Sequence, residues 1–346
     1  MSAEPTPTPG VTPTVTPTVT IVAPEPPAQL LDLLARPRGA ALMLGHVHPD
    51  GDVLGTLLGL GLAMEKAGWA VTYGGPDPVP DVLGFLPGAD RWQVWRAAPG
   101  TFDTIVLTDC PNDGRTEGLL AGARGPASRV LNIDHHPDNR RYGTLNWIDP
   151  SAAAVGEMIF DLLTALGWPI GRDVALGLYT AIHTDTGSFR YSNTTPRTFR
   201  IAGALTAEGA EPALVTDRLY QRRPKDALLT LGSLLSRVEV SEDGRIATLT
   251  VPEGAASEAF MAAEDLVTYP RSIAGVKVAV LLRAEADGRV KASLRGKGDV
   301  PVNRIAHQFG GGGHENAAGC TLPGPLASAK ATLLAAVRQA LDGPAS

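Results

Sequence analysis

From about residue 29 to residue 210 the chain alternates short apolar runs with longer stretches of helical spacing, and this rhythm restricts the fold more than any other feature. The runs Ala40–Gly45, Ala70–Tyr73, Thr104–Thr108 and Arg129–Ile133 read as buried strands. Helical spacing fills Asp52–Gly68, Ala153–Leu166, Arg172–Thr184 and Pro196–Glu208. Strands that alternate with helices predict an α/β domain, a parallel sheet with helices on both faces. In such sheets ligands gather beyond the carboxyl ends of the strands.

The texture changes after residue 210. Residues 211–228 are strongly charged and are expected to be a linker. Beyond them, "RVEVSEDGRIATLTV" and "VKVAVLLRAEADGRVKASLRG" each read as two alternating strands around a Gly turn. With helical Val302–Phe309 and Ala327–Leu341 they predict a smaller α+β domain over 229–346. A length of 346 residues with 44% hydrophobic composition can supply two such cores. Residues 1–28 repeat Pro, Thr and Val; proline at that density removes backbone donors, so a disordered tail is expected.

Polar clusters stand where the sheet rule places a site. "GHVHPDGD" follows the first run and brings His46, His48, Asp50 and Asp52 at every second position. Asp109 ends "TIVLTD", Asp134, His135 and His136 end "RVLNIDHH", and "IHTDTGSF" adds His183 and Asp185. Like charges packed this densely repel unless a cation sits among them. Carboxylates and imidazoles without Cys suit Mn²⁺, Mg²⁺, Co²⁺ or Fe²⁺ better than structural Zn²⁺. So many candidates fit two ions about 3.5–4 Å apart, which lower the pKa of a shared water and neutralise a phosphate.

Composition narrows the partners. A net charge of -6 argues against a grip on long duplex DNA, which needs a broad basic face. No apolar run is long enough for a membrane span, and the N-terminus lacks a secretory leader pattern. Cys110 and Cys320 are expected to be unpaired thiols. A cytoplasmic location follows as the expectation.

These ordered motifs resemble those of the DHH phosphoesterase superfamily, from about Leu30 to Thr321. "GHVHPDGD", Asp109, Asp134–His136 and "TDTGSF" match its motifs in order, and "FGGGGHENAAG" is similar to the signature of the DHH-associated domain. The resemblance implies one metal on His46, Asp50 and Asp109, and another on Asp52, Asp109, His135 and Asp185, with Asp109 bridging. Mn²⁺ is the leading metal, with Mg²⁺ or Co²⁺ as substitutes. It implies His136 as the catalytic group facing the phosphate, and His48 on the substrate side. Ser293 and Arg295 in "VKASLRG", with Arg271 as a further candidate, would contact substrate. Gly311, Gly312, Gly313 and His314 would add a phosphate or base pocket, because glycine lets backbone N–H groups converge on an anion. Where relatives carry small hydroxyl residues, this chain has Ala153 and Ala154.

The implied activity is a nano-RNase that cleaves short oligonucleotides to 5′-mononucleotides and converts 3′-phosphoadenosine 5′-phosphate to AMP. Its partners would be short single-stranded RNA or DNA and small nucleotides. The alternatives are a cyclic or linear dinucleotide phosphodiesterase, a single-strand exonuclease, and, outside catalysis, a nucleotide-binding module. The glycine-rich signature argues against a manganese pyrophosphatase.

Overall fold

The structure is a computed structural model that describes residues 25–37, 39–255, 266–298 and 300–342. Residues 1–24, most of the expected Pro/Thr tail, lie outside the described residues.

In the larger domain the elements run α1 (Ala28–Leu34), β1 (Ala40–Leu44), α2 (Gly51–Lys66), β2 (Ala70–Gly75), β3 (Gln93–Val94), β4 (Phe102–Thr108), α3 (Leu119–Ala123), β5 (Arg124–Asp134), β6 (Leu145–Ile148), α4 (Val155–Leu166), α5 (Gly171–Asp185) and α6 (Pro196–Ala207). All sheet pairings here are parallel, in the order β3-β2-β1-β4-β5-β6. The edge strands β3 and β6 were not anticipated, because each is too short to show a period of its own. Strand alternation divides β1 between two cores: Ala41 and Met43 pack with α2, α4 and α5, while Leu42 and Leu44 pack with α3. Helices therefore cover both faces, as expected.

The sheet order reverses between β1 and β4, so chain leaving those two strands diverges and opens a crevice at their carboxyl ends. Two helices frame it. A Cβ on Gly55 of α2 would stand 2.3 Å from the Gly177 carbonyl oxygen of α5, and one on Gly177 would stand 2.7 Å from the Gly55 carbonyl oxygen. Glycine at both positions lets the helices cross backbone to backbone.

Residues 211–228 are largely helical: α7 (Pro212–Tyr220) and α8 (Lys225–Leu235) leave only a short break before Lys225. Pro occupies the first turn of α7 and the N-cap of α8, where its missing N–H costs nothing. The smaller domain continues with β7 (Glu239–Val240), β8 (Ile246–Val251), α9 (Thr268–Ser272), β9 (Val278–Ala284), β10 (Arg289–Gly296), α10 (Val302–His307), β11 (Gly312–His314), β12 (Ala317–Pro323) and α11 (Leu326–Asp342). Its sheet order is β11-β12-β10-β9-β8-β7, antiparallel except for β8 with β9. Both expected hairpins form, turning at Gly244 and Gly288 with positive φ. Strands β11 and β12 were not foreseen, since "GGH" and "AAGCTLP" carry small residues with little apolar alternation.

Candidate metal centre

Each expected ligand arrives on a strand end or helix end at the crevice. His46 follows β1 and is fully buried; its Nδ1 lies 2.7 Å from the Val47 carbonyl oxygen. Its Nε2 is turned towards Asp109 Oδ2, 4.0 Å away. Asp50 is the N-cap of α2 and accepts from the amides of Asp52 and Val53, both at 3.1 Å. Asp52, one residue into the helix, is fully buried and accepts from Val155 N at 2.7 Å and Gly156 N at 3.0 Å. It thereby caps α4, whose own N-cap, Ala154, has no side chain to do so.

Asp109 follows β4 in the left-handed region, φ 52°, an unusual conformation for a non-glycine residue that turns its carboxylate into the crevice. His135 and His136 follow β5. His135 directs Nδ1 to the Ala152 carbonyl at 3.0 Å. Its Nε2 then sits 3.2 Å from Asp185 Oδ2, 3.4 Å from Asp109 Oδ1 and 3.9 Å from Asp52 Oδ2. Asp134 faces the other way: its Oδ1 accepts from the amides of His135 and His136 and from His136 Nδ1 at 2.9 Å. Asp185 ends α5, and Asn193 Nδ2 donates to its carbonyl at 3.1 Å. The structure thus brings His46, Asp50, Asp52, Asp109, His135 and Asp185 to one place.

Electrostatics pull the cluster in opposite directions. Burial would raise the Asp109 carboxyl, but the close imidazoles of His135, His136 and His46 hold it well below the usual range. Asp52 is pushed well above it by burial and by the charges of Asp109 and Asp185. Against burial, the Asp109 carboxylate beside it and the hydrogen bond to Asp134 lift His136 to about 10.

The donors fit a pair of divalent cations. His46 Nε2, His135 Nε2 and Asp109 Oδ1 are buried with no hydrogen-bond partner, and orphaned polar atoms are expensive unless something binds them. His46, Asp50 and Asp109 offer ligand atoms within 4.8 Å of one another, and so do Asp52, Asp109 and His135. Asp109 belongs to both groups, and oxygen and imidazole donors without thiolate suit Mn²⁺, Mg²⁺ or Co²⁺.

The expected substrate residues are distributed unevenly. His314, from β11, reaches the centre: its ring stacks on His136 at 4.2 Å and meets His135 edge-on at 4.8 Å. Burial, then the neighbouring His136 and His135, lowers it to about 4. His48 stands outside the ligand group, exposed, its amide donating to Asp77 Oδ2 at 2.7 Å. Ser293 and Arg295 share one half-buried face of β10. Arg271 has its guanidinium over the Tyr191 ring at 5.0 Å, and its Nε points to the Gly296 carbonyl at 3.4 Å. In the glycine run, Gly312 and Gly313 are strand residues paired to β12, and a Cβ on Gly311 or Gly313 would meet β12 backbone at 2.0 and 2.5 Å.

His183, two residues before Asp185, faces away from the centre because a helix turns about 200° over that interval. It sits among Tyr179, Phe189 and Tyr220 with neither ring nitrogen partnered, and burial, then Arg190, lowers it to about 4. Sequence reasoning missed Arg115, whose Nη2 is 3.1 Å from His46 Nδ1, and Asn139, whose Nδ2 holds Asp134 Oδ2 at 2.5 Å. Nothing in "NDGRTEG" marks Arg115, whereas Asn139 lies close enough to the Asp-His-His run to have been suspected.

Comparison with known proteins agrees with this geometry. Residues 41–182 match the model of the DHH family N-terminal domain, and residues 245–343 match the DHHA1 domain. The chain is 38% identical over 313 residues to the bifunctional oligoribonuclease and PAP phosphatase NrnA of Thermus thermophilus, covering 90% of this chain and 93% of that protein. It is 30% identical over 288 residues to the Bacillus subtilis protein of the same name, covering 80% and 87%. Among solved structures, an exopolyphosphatase-related protein from Bacteroides fragilis superposes with a TM-score of 0.79 at 25% identity, covering 90% of this chain and 95% of that one. Strand-end ligands in family order, a DHHA1 domain seated against them, and identity spread along nearly the whole chain together make this chain a member of the DHH family.

Proposed function

We propose that this chain is a metal-dependent phosphoesterase that hydrolyses short RNA oligonucleotides to 5′-mononucleotides and 3′-phosphoadenosine 5′-phosphate to AMP and inorganic phosphate. The observation that carries the reading is the meeting of six acidic and imidazole side chains at the β1/β4 crevice, with His314 of the smaller domain stacked over them. Its relatives named as oligoribonuclease and PAP phosphatase support the substrate class.

In this reading His46, Asp50 and Asp109 would hold one divalent ion, and Asp52, Asp109, His135 and Asp185 would hold the other. Two such ions, Mn²⁺ foremost with Mg²⁺ or Co²⁺ as substitutes, supply a water of lowered pKa and neutralise phosphate charge. The chain's own groups orient and protonate. Val155 and Gly156 amides fix Asp52, and the Ala152 carbonyl fixes the His135 tautomer. His136, whose Nδ1 is held by Asp134, would give its Nε2 proton to the leaving ester oxygen as the oxygen of water bonds to phosphorus and the P–O ester bond breaks. His314, Ser293 and Arg295 bind the fragment from the smaller domain. With a net charge of -6, grip comes from this pocket rather than from a basic track, which restricts the enzyme to short substrates. Among the described residues no helix is long and apolar enough to cross a membrane, and we place the activity in the cytoplasm, where these substrates arise.

The test is incubation with Mn²⁺ and a panel of pApA, 3′-phosphoadenosine 5′-phosphate, cyclic di-AMP, pyrophosphate and long single-stranded DNA. Turnover of the first two is expected. Degradation of the long DNA alone would refute the reading, and cyclic di-AMP as the preferred substrate would replace it with the dinucleotide alternative.

A further inference from the structure

Arg197 is a buried cation, 7% exposed, that the chemistry above does not use. It stands in the first turn of α6, behind the capping box of Thr195 and Thr198. A guanidinium there opposes the helix dipole, and a buried ion pair returns little net stability. Its position needs another reason.

Its partners supply one. Nη1 lies 2.9 Å from Glu157 Oε2 and 3.9 Å from Asp149 Oδ2, and Nη2 contacts Asp161. Glu157 Oε2 also accepts from Ala153 N at 3.3 Å, while Asp149 Oδ1 accepts from Ser151 N at 3.0 Å and Ser151 Oγ at 2.6 Å. The guanidinium thus fastens the Glu157 end of the segment 149–157 by a hydrogen bond and attracts the Asp149 end by charge alone, at ion-pair distance. Between those ends lie the backbone groups that orient one side of the metal centre. Asp149 N donates to Asp134 O at 3.0 Å, Ala152 O takes the His135 Nδ1 contact at 3.0 Å, and Val155 N and Gly156 N hold Asp52. Asn193 Nδ2 ties Ala153 O to Asp185 O at 3.0 and 3.1 Å. His46 and Asp50 take their orienting bonds from Val47 and from the start of α2 instead.

We infer that Arg197 is a positioning residue for one half of the metal centre: by clamping 149–157 it keeps Asp52, His135 and Asp185 in register for the ion they share. The inference rests on the two-metal reading above. It predicts an asymmetry that a purely structural role would not produce, namely that one ion loses affinity while the other does not.

The experiment is calorimetric titration of the metal-free full chain with Mn²⁺ alone, run beside thermal melting in EDTA. Wild type is expected to take up two ions. Arg197→Met should weaken one of them about 10- to 100-fold, the range typical of lost outer-shell partners, and leave the other within about two-fold. Because this substitution strands buried carboxylates, Arg197→Met with Glu157→Gln is the second variant. It should melt near the wild-type temperature and still bind the same ion weakly. A folded single or double variant that binds both ions as wild type does, or loses both equally, overturns the inference. Wild type that binds no Mn²⁺ overturns the two-metal reading and the inference with it.

Discussion

At the scale of single residues, Asp109 joins the two halves of the site. It faces His46 on one side and His135 and His136 on the other, from a backbone conformation that few carboxylate residues adopt. Asp109→Ala should reduce turnover of every substrate in the panel to background and remove both Mn²⁺ binding steps; either one surviving would contradict a shared ligand. His183 tests the opposite case, a histidine that the fold keeps neutral. Its folded-state value of about 4 is below the ordinary 6.5, so the unfolded chain takes up a proton first as pH falls through that window. Stability is therefore whole above pH 6.5 and is lost as the pH drops towards 4. His183→Phe in EDTA should lower the melting temperature less than wild type does between those pH values. Parallel pH profiles for the two proteins would show that His183 is not the cause.

At the scale of elements, the site depends on how closely α2 and α5 approach. Helix α2 begins with Asp50 and Asp52, α5 ends with Asp185, and the crossing at Gly55 and Gly177 sets their separation. Gly55→Ala places a methyl group against the Gly177 carbonyl, and overpacking of this kind costs about 1–3 kcal/mol. The expected result is a melting temperature lower by about 2–4 °C for each kcal/mol, together with weaker Mn²⁺ binding, since the helix ends are pushed apart. A variant with unchanged melting and unchanged Mn²⁺ affinity would show that the crossing tolerates a side chain.

At the scale of the whole molecule, the smaller domain completes the site across the cleft. The His136–His314 stack at 4.2 Å, the Arg271–Tyr191 contact at 5.0 Å and Asn316 Nδ2 at 3.5 Å from Ser192 Oγ all join the two domains. His314→Ala should raise KM for pApA several-fold and leave hydrolysis of bis(p-nitrophenyl) phosphate largely unchanged, because the activated diester needs the metals but not the pocket. Equal losses on both substrates would place His314 in the metal centre itself.

The strand-helix rhythm, the Asp and His residues at strand ends and the order of the motifs were legible in the sequence, since burial, periodicity and ligand chemistry are local properties. The same local view did not show that Gly311 and Gly313 pack on β12 or that residues 211–228 are largely helical, because a β-ladder partner and a helix's tertiary cover lie elsewhere in the chain. It also grouped His183 with Asp185, two neighbours that a helix sends to opposite sides. What only the tertiary structure decided was the meeting itself: the reversal of strand order between β1 and β4, the Gly55–Gly177 crossing, and the Arg197 clamp on 149–157. These are contacts between residues 40 to 122 positions apart, so their geometry follows from how the sheet and helices pack and leaves no periodic trace in the chain.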